Sequence, residues 1–272
     1  MKVAIQGDIG AFSQQAALQL VDRPDIVPCR TFEDAFAALR DGSADLAVIP
    51  VENTLAGTVT RPMDLIASHG VHAVAETLVR VRLCVATRPG STLSEARTIA
   101  SHPVALLQCR AFLARHPWLT AVETYDTAGS IRDMMHGAGW DAAIGSELAC
   151  GLHGAAVVSK DIEDDPRNYT RFLALQTRPE PGPDVGKLSL AFTLHNRPAA
   201  LHDALGTFAD RKLDLTRLDC RPLVGRPWEY RFYADLASVD ADLAREVVDE
   251  LERFAVDVQV IGRYQAAVGD GS

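Results

Sequence analysis

The chain has 272 residues, 47% of them hydrophobic and 23% charged, which is ordinary globular composition with room for about two domains. Its formal net charge of −9 argues against nucleic acid or an anionic membrane surface as the main partner. It also means that an anionic ligand would have to be captured by local positive groups.

The opening Met1-Lys2-Val3-Ala4-Ile5-Gln6 runs directly into a strand, with no charged-then-apolar leader and no long apolar run. Neither a signal peptide nor a membrane span is expected, and a cytoplasmic location is. The strand Lys2–Gln6 precedes a helical pattern over Phe12–Val21. Thr31-Phe32-Glu33-Asp34 resembles a capping box that opens a helix to Arg40. Leu46–Ile49 reads as a buried strand ending at Pro50. A short helix near Met63–Ala67 leads to strands at Val71–Val81 and Leu83–Thr87. The alternation resumes with a strand at Thr98–Ser101, a helix at Val104–His116 and a strand at Ala121–Tyr125. A helix at Ser130–His136, a strand at Ala142–Ile144, a helix starting at Ser146 and a strand at Arg171–Gln176 complete this region. Strands separated by helices predict parallel α/β sheets.

The Pro/Gly-rich stretch 177–186 marks a domain boundary. Beyond it the pattern is strand (Lys187–Leu194), helix (Ala199–Arg211), strand (Leu215–Arg221), strand (Tyr230–Leu236), helix (Ala241–Phe254), strand (Val256–Arg263). That βαββαβ order is the ferredoxin-like plait. The five cysteines, Cys29, Cys84, Cys109, Cys150 and Cys220, are scattered and read as reduced, mostly core thiols.

Four expected strand-to-helix junctions carry small hydroxyl or amide residues: Gly10-Ala11-Phe12-Ser13, Glu52-Asn53-Thr54, Asp126-Thr127 and Gly145-Ser146. Exposed N–H groups at helix starts attract anions, and ligands of open α/β sheets bind beyond the carboxyl ends of the strands. Each junction taken singly is better explained as an ordinary helix cap, and only the four together point to a small anionic ligand. Gln6-Gly7-Asp8-Ile9-Gly10 is too sparse for a dinucleotide or phosphate-loop fingerprint. His69 and His72 lack the companions of a metal site, and Cys109, beside Gln108, lies in an apolar helical pattern with no partner base.

Four segments, in this order, resemble the prephenate dehydratase family. Gln6-Gly7-Asp8-Ile9-Gly10-Ala11-Phe12-Ser13 is similar to its opening glycine loop. Pro50-Val51-Glu52-Asn53-Thr54-Leu55-Ala56-Gly57-Thr58-Val59 is similar to its Pro-Val-Glu-Asn-Ser loop, with Thr54 in place of Ser. Ser101-His102-Pro103 with Gln108-Cys109-Arg110 resembles its middle helix motif. Asn168-Tyr169-Thr170-Arg171-Phe172 carries its Thr-Arg-Phe signature, preceded by Ile162-Glu163-Asp164. The resemblance implies an α/β fold: a two-lobed catalytic domain like a type II periplasmic binding protein, over residues 1–178, followed by a linker (179–186) and a ferredoxin-like ACT regulatory domain (187–272). Lobe one would hold 1–80 and 160–178, lobe two 81–159.

The implied reaction turns prephenate into phenylpyruvate with loss of water and carbon dioxide, in phenylalanine biosynthesis, without metal or cofactor. The resemblance ties Thr170 to activity, and Glu52 is the candidate catalytic residue beside it. A threonine hydroxyl is too weak an acid for efficient proton transfer, so Thr170 is expected to donate a hydrogen bond to the leaving oxygen, with Glu52 as proton source or as a structural cap of its loop. Arg171 is expected to grip a substrate carboxylate in bidentate fashion or to form a structural ion pair. Asn53, Thr54, Ser13, Thr127, Ser146 and Phe172 complete the expected substrate site, with Gly7, Gly10 and Gly57 letting backbone approach the ligand.

In ACT modules of the family, phenylalanine binds at a dimer interface and inhibits, so a homodimer or homotetramer with that effector is implied. The effector loop appears as Ala199-Ala200-Leu201-His202, with Ala199 where the family has glycine. The Glu-Ser-Arg-Pro signature appears as Asp219-Cys220-Arg221-Pro222. Arogenate dehydratase shares the fold and most motifs. A two-lobed sensor without catalysis would share the lobes but not need Glu52-Asn53 with Thr170-Arg171-Phe172.

Overall fold

The computed structural model describes residues 1–223 and 225–267, so the last five residues of the expected C-terminal domain lie outside it. The chain divides into two compact units, one formed by Met1–Val59 and Leu78–Phe172, the other by Thr60–Thr77 and the chain from Leu173 onward.

The first unit opens with β1 (Lys2–Gln6), α1 (Phe12–Leu20), β2 (Asp25–Cys29), α2 (Phe32–Asp41), β3 (Leu46–Asn53) and the two-residue β4 (Gly57–Thr58). β1 pairs in parallel with β2 and β3. Val3, Ala4 and Ile5 of β1 and Ala47, Val48 and Ile49 of β3 are fully buried. α2 starts as its sequence predicts: Thr31 Oγ1 accepts from the Asp34 amide and Asp34 returns the bond to the Thr31 amide, both at 3.1 Å. It stops at Gly42, whose φ of 78° suits a residue without a side chain. β2 was not foreseen, because Pro28 interrupts its pattern. It is the edge strand of its sheet, where a missing N–H costs little. Likewise β3 runs on through Pro50, which lies beyond Val48, the last residue paired with β1.

After α3 (Thr60–His69) and β5 (His72–Arg80) come β6 (Cys84–Thr87), β7 (Thr98–Ser101), α4 (Pro103–Leu107), α5 (Arg110–Arg115) and β8 (Thr120–Glu123). Then follow α6 (Thr127–Met135), β9 (Ala142–Gly145), α7 (Glu147–His153), β10 (Ala156–Ser159) and β11 (Tyr169–Gln176). The first sheet has the order β2-β1-β3-β11-β5, with β4 beside β3, and the second β10-β6-β9-β7-β8. The second sheet is mixed rather than parallel, since β6 runs antiparallel to both β9 and β10. The helix expected over 104–116 is broken at Gln108-Cys109, because Asp164, far along the chain, caps α5 by accepting from the Arg110 and Ala111 amides at 3.0 Å.

The second unit contains β12 (Gly186–Leu194), α8 (Ala200–Asp210), β13 (Leu215–Pro222), β14 (Tyr230–Val239), α9 (Ala241–Leu251) and β15 (Ala255–Tyr264). The antiparallel order β13-β14-β12-β15 is the ferredoxin-like plait that the pattern predicts. Leu188, Leu190 and Phe192 alternate along β12 and join Ala204, Phe208, Val247 and Leu251 of the two helices in one core. Residues 60–77, expected with lobe one, group with this unit. The apolar stripe of α3 (Pro62, Met63, Leu65, Ile66) is buried, the Tyr233 hydroxyl donates to the Met63 carbonyl at 3.3 Å, and Lys187 pairs with Glu76 at 2.5 Å.

Phe36 of α2 is fully buried in the first unit. Phe36→Ala is expected to lower the unfolding free energy by about 3–5 kcal/mol, measured as a shift in the urea midpoint at unchanged slope.

Candidate functional site

Where the β3–β4 turn meets the start of β11 lies Asn53, which is only 9% exposed. Its Oδ1 accepts from the Leu55 and Ala56 amides at 3.0 and 2.8 Å. Backbone N–H groups can only donate, so the amide orientation is fixed and Nδ2 must face the other way. There it donates to Asn168 Oδ1 at 2.8 Å, the Tyr169 carbonyl at 3.1 Å and Thr170 Oγ1 at 3.0 Å. Asn168, itself fully buried, then turns its Nδ2 to Gln108 Oε1 at 3.0 Å. Donation therefore runs outward from Asn53 in two branches, one through Asn168 to Gln108 and the other to Thr170. Thr170 accepts from Asn53, which leaves the hydroxyl's own proton for donation. The sequence shows Gln108 and Asn168 only as parts of motifs. Gln108 reaches Asn168 because it stands at the break between α4 and α5.

The expected residues around this centre take different positions. The Thr54 hydroxyl donates to the Arg167 carbonyl at 2.8 Å and accepts from the Tyr169 amide at 2.9 Å, clipping the turn to β11. Arg171 is 8% exposed and stands 3.7 Å from the half-exposed Glu52 carboxylate. Phe172, the next residue, is buried in the core. The Glu52-Asn53-Thr54 junction leads into a β-hairpin instead of a helix, and Gly57, with φ of 80°, pairs with Asn53 across it.

The glycine loop between β1 and α1 lies against α7. Gly10 has φ of 94°, and a Cβ there would sit 2.6 Å from the Ala149 Cβ and overlap the backbone beside it. Its glycine is thus required by another piece of protein. Ser146 Oγ donates to the Gly10 carbonyl at 2.6 Å and accepts from the Ala149 amide at 3.0 Å, capping α7. The His153 ring lies 3.0 Å from the Ile9 carbonyl. At α6 the cap is Asp126, which accepts from the Gly129 amide at 2.7 Å, with Thr127 half-buried beside it. α1 alone of these three helices has no side-chain bond at its cap residue, Ala11, and Ser13 lies buried in its first turn. On the other side of the loop, Gly7, Asp8, Cys29, Arg30, Tyr125 and Arg132 line a cavity of about 400 Å³. Arg132 is ion-paired with Asp8, and the Arg30 guanidinium stands 5.8 Å from the centre of the Tyr125 ring.

In the second unit, Ala199 adopts φ of 63° as the cap residue of α8, and Ala200, Leu201 and His202 follow in the helix. Asp219 pairs with Arg217 and Arg221 with Asp64, both at 3.4 Å, while Cys220 is exposed. Pro222 lines a separate hollow with Trp228 and Tyr230.

The family model for prephenate dehydratase matches residues 3–180. The chain belongs to the prephenate dehydratase family. It is 36% identical over 277 residues to arogenate dehydratase/prephenate dehydratase 2, chloroplastic, of Arabidopsis thaliana, covering 97% of this chain and 72% of that one. It is also 36% identical over 270 residues to the bifunctional N-acyl-homoserine lactone acylase/prephenate dehydratase of Komagataeibacter europaeus, covering 97% and 96%. The crystal structure of the Arthrobacter aurescens prephenate dehydratase in complex with L-Phe superposes with a TM-score of 0.89 at 29% identity, covering 98% of this chain and 90% of that one. Family membership makes the chain a dehydratase of the prephenate/arogenate group. No helix among the described residues is long and apolar enough to cross a membrane.

Asn53→Asp keeps the acceptor for Leu55 and Ala56 but replaces the donor facing Thr170. Dehydratase turnover is expected to fall by about 10²-fold or more, and wild-type turnover in that variant would remove Asn53 from the orienting role. Burial raises the Asp126 carboxyl above its ordinary range, against the opposing bond from the Gly129 amide. The folded state then holds a proton that the unfolded state has released, so stability drops as pH rises from the ordinary carboxylate range through the raised value. Asp126→Asn, which can still cap α6, is expected to flatten that stretch of the stability–pH curve, measured by thermal unfolding from acid to neutral pH.

Proposed function

We propose that the chain converts prephenate to phenylpyruvate, within residues 1–178, and that residues 187–272 act as an ACT module that senses phenylalanine in a homodimer or homotetramer. The observation that carries the catalytic reading is the bond from Asn53 Nδ2 to Thr170 Oγ1 at 3.0 Å. In the reaction the carbon–carbon bond to the ring carboxylate breaks. Its electron pair moves through the diene to complete the aromatic ring, and the ring hydroxyl departs. The oxygen gathers negative charge as it leaves. Donors aimed at such charge in advance are worth far more than donors that must reorient. Thr170, held as an acceptor on one side, presents its proton on the other.

The departing hydroxide also needs a proton, and Glu52 is the proposed source. Its present neighbour is Arg171 at 3.7 Å. A substrate carboxylate that takes the Arg171 fork competes for the guanidinium and separates the pair, which couples anion binding to the availability of Glu52. The amide and hydroxyl groups of the β1–α1 loop, with Ser13 and the start of α1, face the second carboxylate in this reading.

Phenylpyruvate formation from prephenate, followed by ultraviolet absorbance, tests the reading, with arogenate assayed in parallel. Thr170→Ala is expected to lose about 10²-fold or more in turnover, and Thr170→Ser to retain most of it. Glu52→Gln is expected to lose turnover; turnover retained in that variant removes the proton-source role. Turnover of arogenate alone would move the assignment to arogenate dehydratase, and turnover of neither would favour a two-lobed sensor.

For the effector module, the L-Phe complex of the Arthrobacter relative supports phenylalanine as ligand. Ala199 holds a left-handed backbone that costs an L-residue about 1–2 kcal/mol. Ala199→Gly is expected to raise stability by about 1 kcal/mol and to lower the phenylalanine concentration needed for half-inhibition, read by thermal shift and by turnover.

A further inference from the structure

Two thiols outside the catalytic machinery face each other in the first unit. Cys84 Sγ on β6 lies 3.5 Å from Cys150 Sγ on α7. Both residues are buried, at 3% and 1% exposure, among Ala86, Ile131, Met134 and Ala149. The single Cys84 proton is shared between the Cys150 sulfur and the Gly145 carbonyl, 3.3 Å away. Cys29 and Cys109 are buried elsewhere, and burial pushes the Cys109 thiol up to about 12.

We propose that Cys84 and Cys150 form a modification site, closed to a disulfide by a small two-electron oxidant of the peroxide class, and that closing it switches off the site built on the glycine loop. The second half rests on the dehydratase reading above; the first does not. The geometry needs little change, since a disulfide places its sulfurs about 2.05 Å apart. Cys150 is the better nucleophile of the two. The hydrogen bond from Cys84 holds its thiol below the usual range, whereas the same bond and burial raise Cys84. The Cys150 thiolate attacks one peroxide oxygen and breaks the O–O bond. The sulfur becomes a sulfenic acid, and the released hydroxide takes a proton to give water. Cys84 sulfur then attacks the sulfenic sulfur and expels hydroxide, which takes the Cys84 proton as the second water. Two thiols and one peroxide thus give one disulfide and two waters.

The consequence follows from what α7 supports. Closing the gap from 3.5 Å means a movement of about 1.5 Å at the sulfurs. β6 is laddered to β9 and β10 on both sides, so the short helix α7 is the part that yields. Its Ala149 fills the space opposite Gly10, and its cap, Ser146, holds the Gly10 carbonyl at 2.6 Å. Displacement of these residues carries the Ile9–Gly10 turn and the start of α1 with them. A misplacement on the order of 1 Å in positioning elements lowers turnover by about 10²-fold.

The test uses the full reduced chain treated with hydrogen peroxide, then unfolded and alkylated. Peptide mapping is expected to recover Cys84 joined to Cys150, with both thiols protected from alkylation. Turnover is expected to fall about 10²-fold and to return with dithiothreitol. Cys84→Ser and Cys84→Ala are expected to keep untreated turnover and to retain it after peroxide, with no cross-linked peptide. Full alkylation of Cys84 and Cys150 after peroxide would overturn the modification site, whatever the enzyme turns over. A mapped disulfide with unchanged dehydratase turnover would overturn the switch.

Discussion

The orientation of one amide governs the candidate site. Leu55 and Ala56 can only donate, so Asn53 can only accept from them, and every subsequent polarity is set: Asn53 donates to Thr170, Asn168 donates to Gln108. Buried polar groups of this kind cost a great deal when left unmatched, so the network of amides is satisfied as a whole or not formed at all. The arrangement joins three stretches distant in sequence: the β3–β4 turn, the break between α4 and α5, and the start of β11. It holds the Thr170 hydroxyl as an acceptor from Asn53, with its own proton available to donate. That is the kind of contribution a threonine can make to a leaving group, where its intrinsic acidity offers little.

A second constraint holds the glycine loop. Positive φ at Gly7 and Gly10 is easily mistaken for a ligand cradle, and the sequence alone offers no way to separate a ligand from neighbouring protein as the reason for a missing Cβ. Here the space at Gly10 is occupied by Ala149, and Ser146 is spent on capping and on the Gly10 carbonyl. Gly10 and Ser146, both expected to contact a ligand, touch each other. What they position is the start of α1.

Local chemistry made much of this legible. The Thr31 capping box, the β1 and β3 cores and the βαββαβ order of the second unit were readable because the residues that determine them are close in sequence. Where the determinant is remote, the reading stopped. Nothing within 104–116 announces that Asp164 will cap a second helix there, and nothing within 60–77 announces that its apolar stripe will group with the C-terminal sheet. β2 was hidden by Pro28, which is harmless only because the strand is at an edge, a property of the assembled sheet. The motif residues Gln108 and Asn168 were visible, yet their role depends on contacts across 60 positions.

The same distinction answers how a chain of net charge −9 could attract a dianion. Of the helix starts that carry small polar residues, α6 is already satisfied by the Asp126 carboxylate and α7 by Ser146. A helix end whose N–H groups are bonded to its own cap has little left for a ligand. α1 differs: Ala11 supplies no side-chain cap, and Gln14 reaches back only to the Gly10 amide at 2.6 Å. Its first-turn N–H groups and its dipole therefore point at whatever lies beyond the glycine loop. One such helix end and the buried Arg171 guanidinium are the two positive features that the proposed reading assigns to the two carboxylates. Burial strengthens both relative to the distributed surface charge that opposes them. The overall charge is felt through water and salt, the two local features through protein, and at the distances of a bound ligand the local terms dominate.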